Sequence, residues 1–247
     1  MLKEERQNFI IKQINLHNKV LSADLSRLLN VSEDTIRRDL NELSELGQII
    51  KVHGGALSKS FHFPFADGET YAKDAKKIIA KKAVGLIEDG MVVLAGGGTT
   101  MIEIARAIPK HLKCTFFTIS PLVALELVEN TNSDVILIGG QLSPSAHISI
   151  GSQVINQLSE INVDLCFLGT NGLSVENGIT DSDWEAVQVK KAMLKASRKT
   201  AIVTIGEKLE TTQNLKVCGL NAIHYLITDL VTNSQSLLGY HKYIEVI

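Results

Sequence analysis

The chain has 247 residues, 45% hydrophobic and 21% charged, with a formal net charge of −2 and a pI near 6.4, so it is no basic coat for nucleic acid. Its length holds one small domain plus one with a substantial core, and no apolar run has the length of a membrane span. Cys114, Cys166 and Cys218 are odd in number, widely spaced and in apolar runs, which favours buried thiols over a disulfide or zinc site; with no signal peptide at the N-terminus, the expected compartment is the cytoplasm.

Residues 2–16 form the first expected helix, with Phe9, Ile10 and Ile14 as its packing face. Residues 22–29 (SADLSRLL) form a second, short helix capped by its own serine, and only Asn30 and Val31 separate it from a third. There Ser32 is an N-cap whose hydroxyl can accept from the free N–H of Thr35, and Glu33 and Asp34 suit the positive end of the helix dipole. Ile36, Leu40 and Leu43 make one apolar stripe, while Asp34, Arg38, Asn41 and Glu45 face outward with Thr35 and Arg37 at the flanks. Gly47 stops the helix, and residues 48–52 alternate up to the His53-Gly54-Gly55 turn, as a short hairpin would. Helix-turn-helix plus wing places Thr35, Arg37 and Arg38 near base edges and phosphates in a major groove, with Lys51 and His53 against the backbone. The competing reading is a small helical packing unit with solvated arginines; the combination of capped helix, glycine stop and wing favours double-stranded DNA. Residues 1–59 carry nine basic against eight acidic side chains. One copy therefore attracts phosphates weakly, which argues for a homo-oligomer, dimer or tetramer, on repeated half-sites.

Residues 57–71 break the periodicity with Pro64, Gly68 and three phenylalanines. This divides the chain into a DNA-binding domain at 1–58, a docking linker at 59–71 and a second domain at 72–247. A helix is expected over 73–89, apolar at Ile78, Ile79, Ala83, Leu86 and Ile87, with lysines 73, 76, 77, 81 and 82 on a solvated face. From Met91 onward short apolar runs (91–95, 115–119, 135–139, 164–169, 200–205, 224–229 and 244–247) alternate with helical stretches at 99–107, 122–129, 151–160 and 184–197, and with a last helix near the end. That alternation predicts an α/β domain with a mostly parallel sheet covered on both faces.

Ligands of open α/β sheets bind outside the carboxyl ends of the strands, and there the glycines cluster. Gly96-Gly97-Gly98-Thr99-Thr100 follows a strand and opens a helix, which brings free N–H groups and two hydroxyls to one point, as a phosphate or carboxylate cradle does. A tight strand-to-helix turn would use the same glycines. The run is neither G-K-[ST] nor G-x-G-x-x-G. Other strand ends carry Thr118-Ile119-Ser120, Gly139-Gly140, and Gly169-Thr170-Asn171-Gly172, followed by Gly178-Ile179-Thr180-Asp181 and Glu185; four polar ends on one rim make a pocket. Lys208 follows a strand, where an ammonium could reach a phosphate or simply face solvent. Trp184 reads as a core aromatic, the alternative being a gate over the ligand. His62, His147 and His224 show no metal spacing, so no metal and no cofactor is expected.

The first of these segments closely resembles the N-terminal winged helix of the DeoR family of bacterial repressors, with its recognition helix S-x-x-T-[IV]-R-R-D-L and a wing ending in H-G-G-A. The matching residues are Ser32, Thr35, Ile36, Arg37, Arg38, Asp39 and Leu40, then Gly47 and His53 to Ala56. The remainder resembles the sensor domain of these repressors, itself similar in fold to ribose-5-phosphate isomerase, with the strand-end pattern D-x-G-T-T, T-N-S, G-G, G-A-D-G, G-x-T followed by E-A, and D-x-S-K. Gly98, Thr99 and Thr100 match the phosphate loop, Thr118 and Ser120 the second motif, and Gly139 and Gly140 the third; Gly169, Gly172, Gly178, Thr180, Glu185, Ala186 and Lys208 match the rest. Gly96, Ile119, Asn171 and Ile205 stand where the family has Asp, Asn, Asp and Asp, and Glu207 replaces the Ser of the last motif. Glu185 occupies the position that resembles the isomerase base, yet the supporting carboxylates at 171 and 205 are gone, which points to a sensor; the alternatives are a sugar-phosphate isomerase with an appended DNA module and an architectural DNA-binding oligomer whose α/β domain has lost its ligand. The resemblance thus implies a transcriptional regulator, commonly a repressor of sugar or carbohydrate genes, that answers to a phosphorylated sugar. DNA would meet Ser32, Thr35, Arg37, Arg38, Lys51 and His53; the effector would meet Gly97, Gly98, Thr99, Thr100, Ser120, Asn171, Glu185 and Lys208.

Overall fold

The computed structural model describes residues 1–17, 19–58 and 71–247; the linker expected at 59–71, with its phenylalanines and His62, lies outside the described residues except for Tyr71. The chain divides into two compact units, Met1–Tyr71 and Ala72–Ile247.

The first unit runs α1 (Lys3–His17), β1 (Lys19–Leu21), α2 (Ser22–Leu29), α3 (Glu33–Glu45), β2 (Ile49–Val52) and β3 (Gly55–Ser58). Ile10, Ile14, Leu25, Ile36, Leu40, Leu43, Ile49 and Ala56 form its core. Phe9 stays half-exposed instead, whereas Leu16, also on α1, is buried. Ser22 does not cap α2: the N-cap is Leu21 without a side-chain bond, because Ser22 is the buried first helical residue, its N–H donating to Gly54 O. Ser32 does cap α3, accepting from Thr35 N at 3.2 Å. At the other end Gly47 takes a φ of 69°, with Gln48 N donating to Leu43 O and Gly47 N to Ser44 O, the paired closure of a Schellman motif. The strands pair antiparallel in the order β1-β3-β2. The three-residue β1 gave no sequence signal, since its alternation is too short to register. It nonetheless fixes the wing: a Cβ on Gly55 would lie 2.0 Å from Val20 O, so only glycine lets β3 approach β1.

The second unit runs α4 (Lys73–Val84), β4 (Val92–Ala95), α5 (Thr99–Ala107), β5 (Thr115–Thr118), α6 (Pro121–Asn130), β6 (Asp134–Leu137), β7 (Gln141–Leu142), β8 (Ser149–Ile150), α7 (Ser152–Ser159), β9 (Val163–Gly169), β10 (Gly172–Ser174), β11 (Gly178–Asp181), α8 (Trp184–Lys195), β12 (Ser197–Val203), β13 (Leu215–Cys218), β14 (Tyr225–Ile227) and β15 (Glu245–Val246). The seven-stranded sheet, ordered β15-β14-β12-β9-β4-β5-β6, is parallel throughout. Its strands bury side chains to both faces. Leu94, Cys166, Leu168 and Ile202 face a core shared with Val154, Leu158, Val187 and Met193, while Val93, Ala95 and Phe167 face Met101, Ile104, Val123 and Leu127.

Several expectations need correction. Helix α4 stops at Val84, where Gly85 opens the last turn, and Ile78 lies exposed. The expected last helix is two short 3-10 turns, Gln235–Leu237 and Tyr240–Lys242. A separate antiparallel sheet, β10-β11-β13, gave no sequence signal because its members meet across distant segments. Nor do the lysines of α4 form one solvated face. Lys76 is buried, and the Lys82 ammonium donates to Thr228 O at 2.7 Å, Leu230 O at 2.9 Å and Ile247 O at 3.2 Å.

Candidate functional site

In the first unit the N-terminal half of α3 is open to solvent. Ser32, Arg37 and Arg38 are exposed and Thr35 is half-buried, its hydroxyl 2.9 Å from that of Ser32. Each arginine lies one helical turn from an acid of its own helix: Arg38 meets Asp34 at 2.8 Å, and Arg37 meets Glu33 more loosely at 3.8 Å. Lys51 on β2 is exposed and donates to Asn41, which ties the wing to α3; His53 is exposed at the turn. The Asp39 of the R-R-D-L run plays another part. It is buried, and its two carboxylate oxygens accept from Arg6 Nε at 2.6 Å and Arg6 Nη2 at 3.2 Å, clamping α3 to α1. Sequence reasoning gave it no task, because its partner lies on another helix.

In the second unit the chain leaves β4 for β5 on one side, and the later β9 inserts on the other side of β4. The carboxyl ends of β4 and β9 therefore flank the switch point of the sheet, the place where open sheets of this kind form a ligand crevice. Gly96 N donates to Phe167 O at 2.9 Å, which holds the two ends together. Gly98 is the N-cap of α5 at a φ of 101°, makes no side-chain cap, and a Cβ there would meet nothing within 4 Å. The first N–H groups of α5, with the half-buried Thr99 and Thr100, thus face open space. Gly97 is tight instead: a Cβ would lie 2.4 Å from Ile148 Cγ2 and 3.5 Å from Ser120 Cβ. Ser120 itself is buried; its hydroxyl accepts from Val123 N at 3.5 Å and donates to His147 O at 3.4 Å.

Across the crevice, the Lys208 ammonium donates to Thr170 O at 3.1 Å. Asn171 donates to Asp181 Oδ1 at 2.9 Å, and Asp181 Oδ2 is bonded to Lys190 at 2.6 Å. Burial opposes the charge of Asp181, yet Lys190 and the hydrogen bonds from Asn171 and Ser182 outweigh it and hold its pKa below the usual carboxylate value. Burial, then the neighbouring charges of Lys76 and Lys190, push Lys208 down to about 7 against the pull of Asp181. Burial likewise pushes Lys76 down to about 8 against the pull of Glu103. The Lys208 ammonium, in the turn after β12, thus feels the charges of Lys76 on α4 and Lys190 on α8. Lys76 and Lys190 were missed in the sequence, where a lysine on an amphipathic helix looks solvated, and Asp181 was placed on the rim without a role.

Glu185 is exposed in the first turn of α8, which Asp183 caps by accepting from Ala186 N; the second Asp183 oxygen accepts from Ser145 Oγ at 3.1 Å. Trp184 beside it is exposed, not a core aromatic, because α8 turns its first residue away from the sheet. Of the family's polar residues replaced here, positions 119 and 205 carry buried alkyl chains, and a Cβ at Gly96 would lie 3.2 Å from Phe167 O. From Lys76 a row of charges continues outward. Glu103 accepts from Arg106 Nη1 at 3.1 Å, and Arg106 forks onto Glu126 of α6 at 2.5 and 3.0 Å.

Residues 72–230 match the DeoR C terminal sensor domain and residues 6–61 the DeoR-like helix-turn-helix domain. The chain is 32% identical to the HTH-type transcriptional regulator GolR of Listeria innocua, over 93% of this chain and 91% of the relative. It is 31% identical to the glycerol-3-phosphate regulon repressor of Haemophilus influenzae, over 92% of this chain and 90% of that protein. Among solved structures it is similar to ribose 5-phosphate isomerase A from Methanocaldococcus jannaschii, at a TM-score of 0.42 and 19% identity, covering 56% of this chain and 54% of the other. A sensor-domain match over more than half of the chain, a matching helix-turn-helix before it and relatives covered over nine-tenths of their length place the chain in the DeoR family: it is a DNA-binding transcriptional regulator.

Proposed function

We propose that the chain is a repressor of carbohydrate genes that acts in the cytoplasm as a homo-oligomer, and that a phosphorylated sugar or polyol phosphate bound at the β4–β9 crevice changes its grip on operator DNA. The observation that supports this reading is an uncapped helix N-terminus at Gly98, open to space, with the Lys208 ammonium on Thr170 O at the neighbouring strand end. A dianionic phosphate suits this arrangement, because backbone N–H groups at a helix start and an ammonium ion both gain most from an anion that excludes water. The naming of a relative for the glycerol-3-phosphate regulon supports an effector of this class. Proton-transfer chemistry is not part of the proposal. Asp181, the carboxylate bonded to Asn171, is held ionised by Lys190 and has little tendency to take a proton, and Asn171 and Ile205 supply no acid.

The test titrates operator DNA with protein in the presence and absence of a panel of sugar and polyol phosphates. Lys208→Met should abolish the response while leaving DNA affinity without effector intact, and Thr100→Ala should raise the effector midpoint about tenfold or more, one charge-assisted hydrogen bond being lost. Gly98→Asp should abolish it as well, through charge and through strain at a φ of 101°. Unaltered midpoints in all three variants would move the ligand elsewhere.

A further inference from the structure

The seven-stranded sheet ends at β6, which pairs with β5 and, among the described residues, with no other strand. This edge is apolar as well as open. Ile136 and Leu137 of β6 are 43% and 44% exposed, and Leu125 and Val128 of the adjoining α6 are 56% and 63% exposed. Leu125 and Val128 are three residues apart on one helix and so share a face. Edge strands of soluble proteins are ordinarily guarded by lysines, prolines or inward charges. Here residues 131–143 contain one charged side chain, Asp134, and no proline.

We propose that the β6 edge and the outer face of α6 are the surface through which two copies of the chain associate, strand against strand about a two-fold axis. The proposal rests on the homo-oligomeric reading above and names its surface. Three observations choose a second copy as the occupant. Residues 114–189 contain neither lysine nor arginine, so β6 and α6 themselves carry no cation for nucleic acid or an anionic membrane surface, and the neighbouring Arg106 is engaged by Glu126. Charge also permits self-pairing: with the axis at Ile136, antiparallel strands set Asp134 of each copy opposite Ile138 of the other, and the two acids stay at opposite ends. Finally, helix-turn-helix proteins reach paired half-sites as two-fold dimers, and a two-fold contact closes on itself whereas head-to-tail addition of edges would polymerise.

Sedimentation equilibrium of the full chain tests this. Wild type should be a dimer or a larger even assembly. Val128→Glu and Ile136→Asp should each weaken association at least tenfold, splitting a dimer to monomers or a larger assembly to half its size, with the circular dichroism spectrum unchanged. Val231→Glu, at an exposed apolar position outside the patch, should leave the assembly intact. If Ile136→Asp fails to fold, Val128→Glu, on a solvent-facing helix position, decides alone. Variants that keep the wild-type assembly overturn the surface and leave the oligomeric reading standing; a monomeric wild type overturns both.

Discussion

Arg37 and Arg38 must each release an acid of their own helix before they can reach DNA, and the looser Arg37–Glu33 pair releases more cheaply than Arg38–Asp34. Replacing either arginine with alanine should weaken operator binding by about 1–3 kcal/mol if it reads a base. If it touches a phosphate, the loss is equal on random DNA and the salt slope falls by about 1. Asp34→Asn should act in the opposite sense and tighten binding severalfold, as a filter-binding titration at two salt concentrations would register; an unchanged affinity would mean that Arg38 stays away from DNA. Lys208 and Lys76 give the crevice its own response to pH. Their folded pKa values, about 7 and about 8, lie below the ordinary 10.5, so the cost of burying their charge is fully present below pH 7. It is relieved as pH rises from there toward 10.5, and thermal stability of the unliganded protein should increase across that window. Effector affinity should move the other way, because an anion needs the charged lysine: up to tenfold weaker per pH unit above about 7 for each proton taken up. Calorimetric titration in buffers of different ionisation enthalpy would count that proton, and Lys208→Met should shrink the rise of thermal stability with pH.

Two neighbouring glycines of the wing separate two kinds of constraint. At Gly54 a side chain would find open space but a φ of 77°, so Gly54→Ala should cost about 1 kcal/mol. At Gly55 the φ is ordinary but the Cβ would meet the carbonyl of Val20 at 2.0 Å, so Gly55→Ala should part β3 from β1 and abolish DNA binding while the sensor unit melts as before. Equal effects of the two substitutions on melting would contradict this ranking. The same contrast explains what could be read in the chain. The cap at Ser32, the stop at Gly47 and the glycine loop before α5 were legible because each acts within a few residues of itself. The partner of Asp39 is Arg6 on another helix, and the burial of Lys76 follows from the packing of α4 on α5; neither leaves a local trace. The parallel strands announced themselves by continuous apolar runs, whereas β1, β10 and β11, each of three or four residues, depend on partners elsewhere in the chain for their existence.

With the first 59 residues so nearly neutral, the molecule draws its grip on DNA from number more than from charge. Removing one half-site from an operator should therefore reduce affinity by about 10²–10⁴, the factor gained when a second contact becomes intramolecular. Gel-shift titration on whole and halved operators measures it; a loss of less than about tenfold would mean that single copies bind unaided. The sensor unit has a consequence of a different kind. The row Lys76, Glu103, Arg106, Glu126 joins the crevice to α6, the helix beside the open sheet edge. An anion that draws on Lys76 alters what Glu103 owes to Arg106, and so the set of the helix at that edge. Energetic coupling of this sort runs equally in both directions. Dilution then becomes a reagent: the effector midpoint should differ between protein held well below and well above the concentration at which copies associate. Glu126→Gln, which cuts the row at its outer end, should bring the two midpoints together.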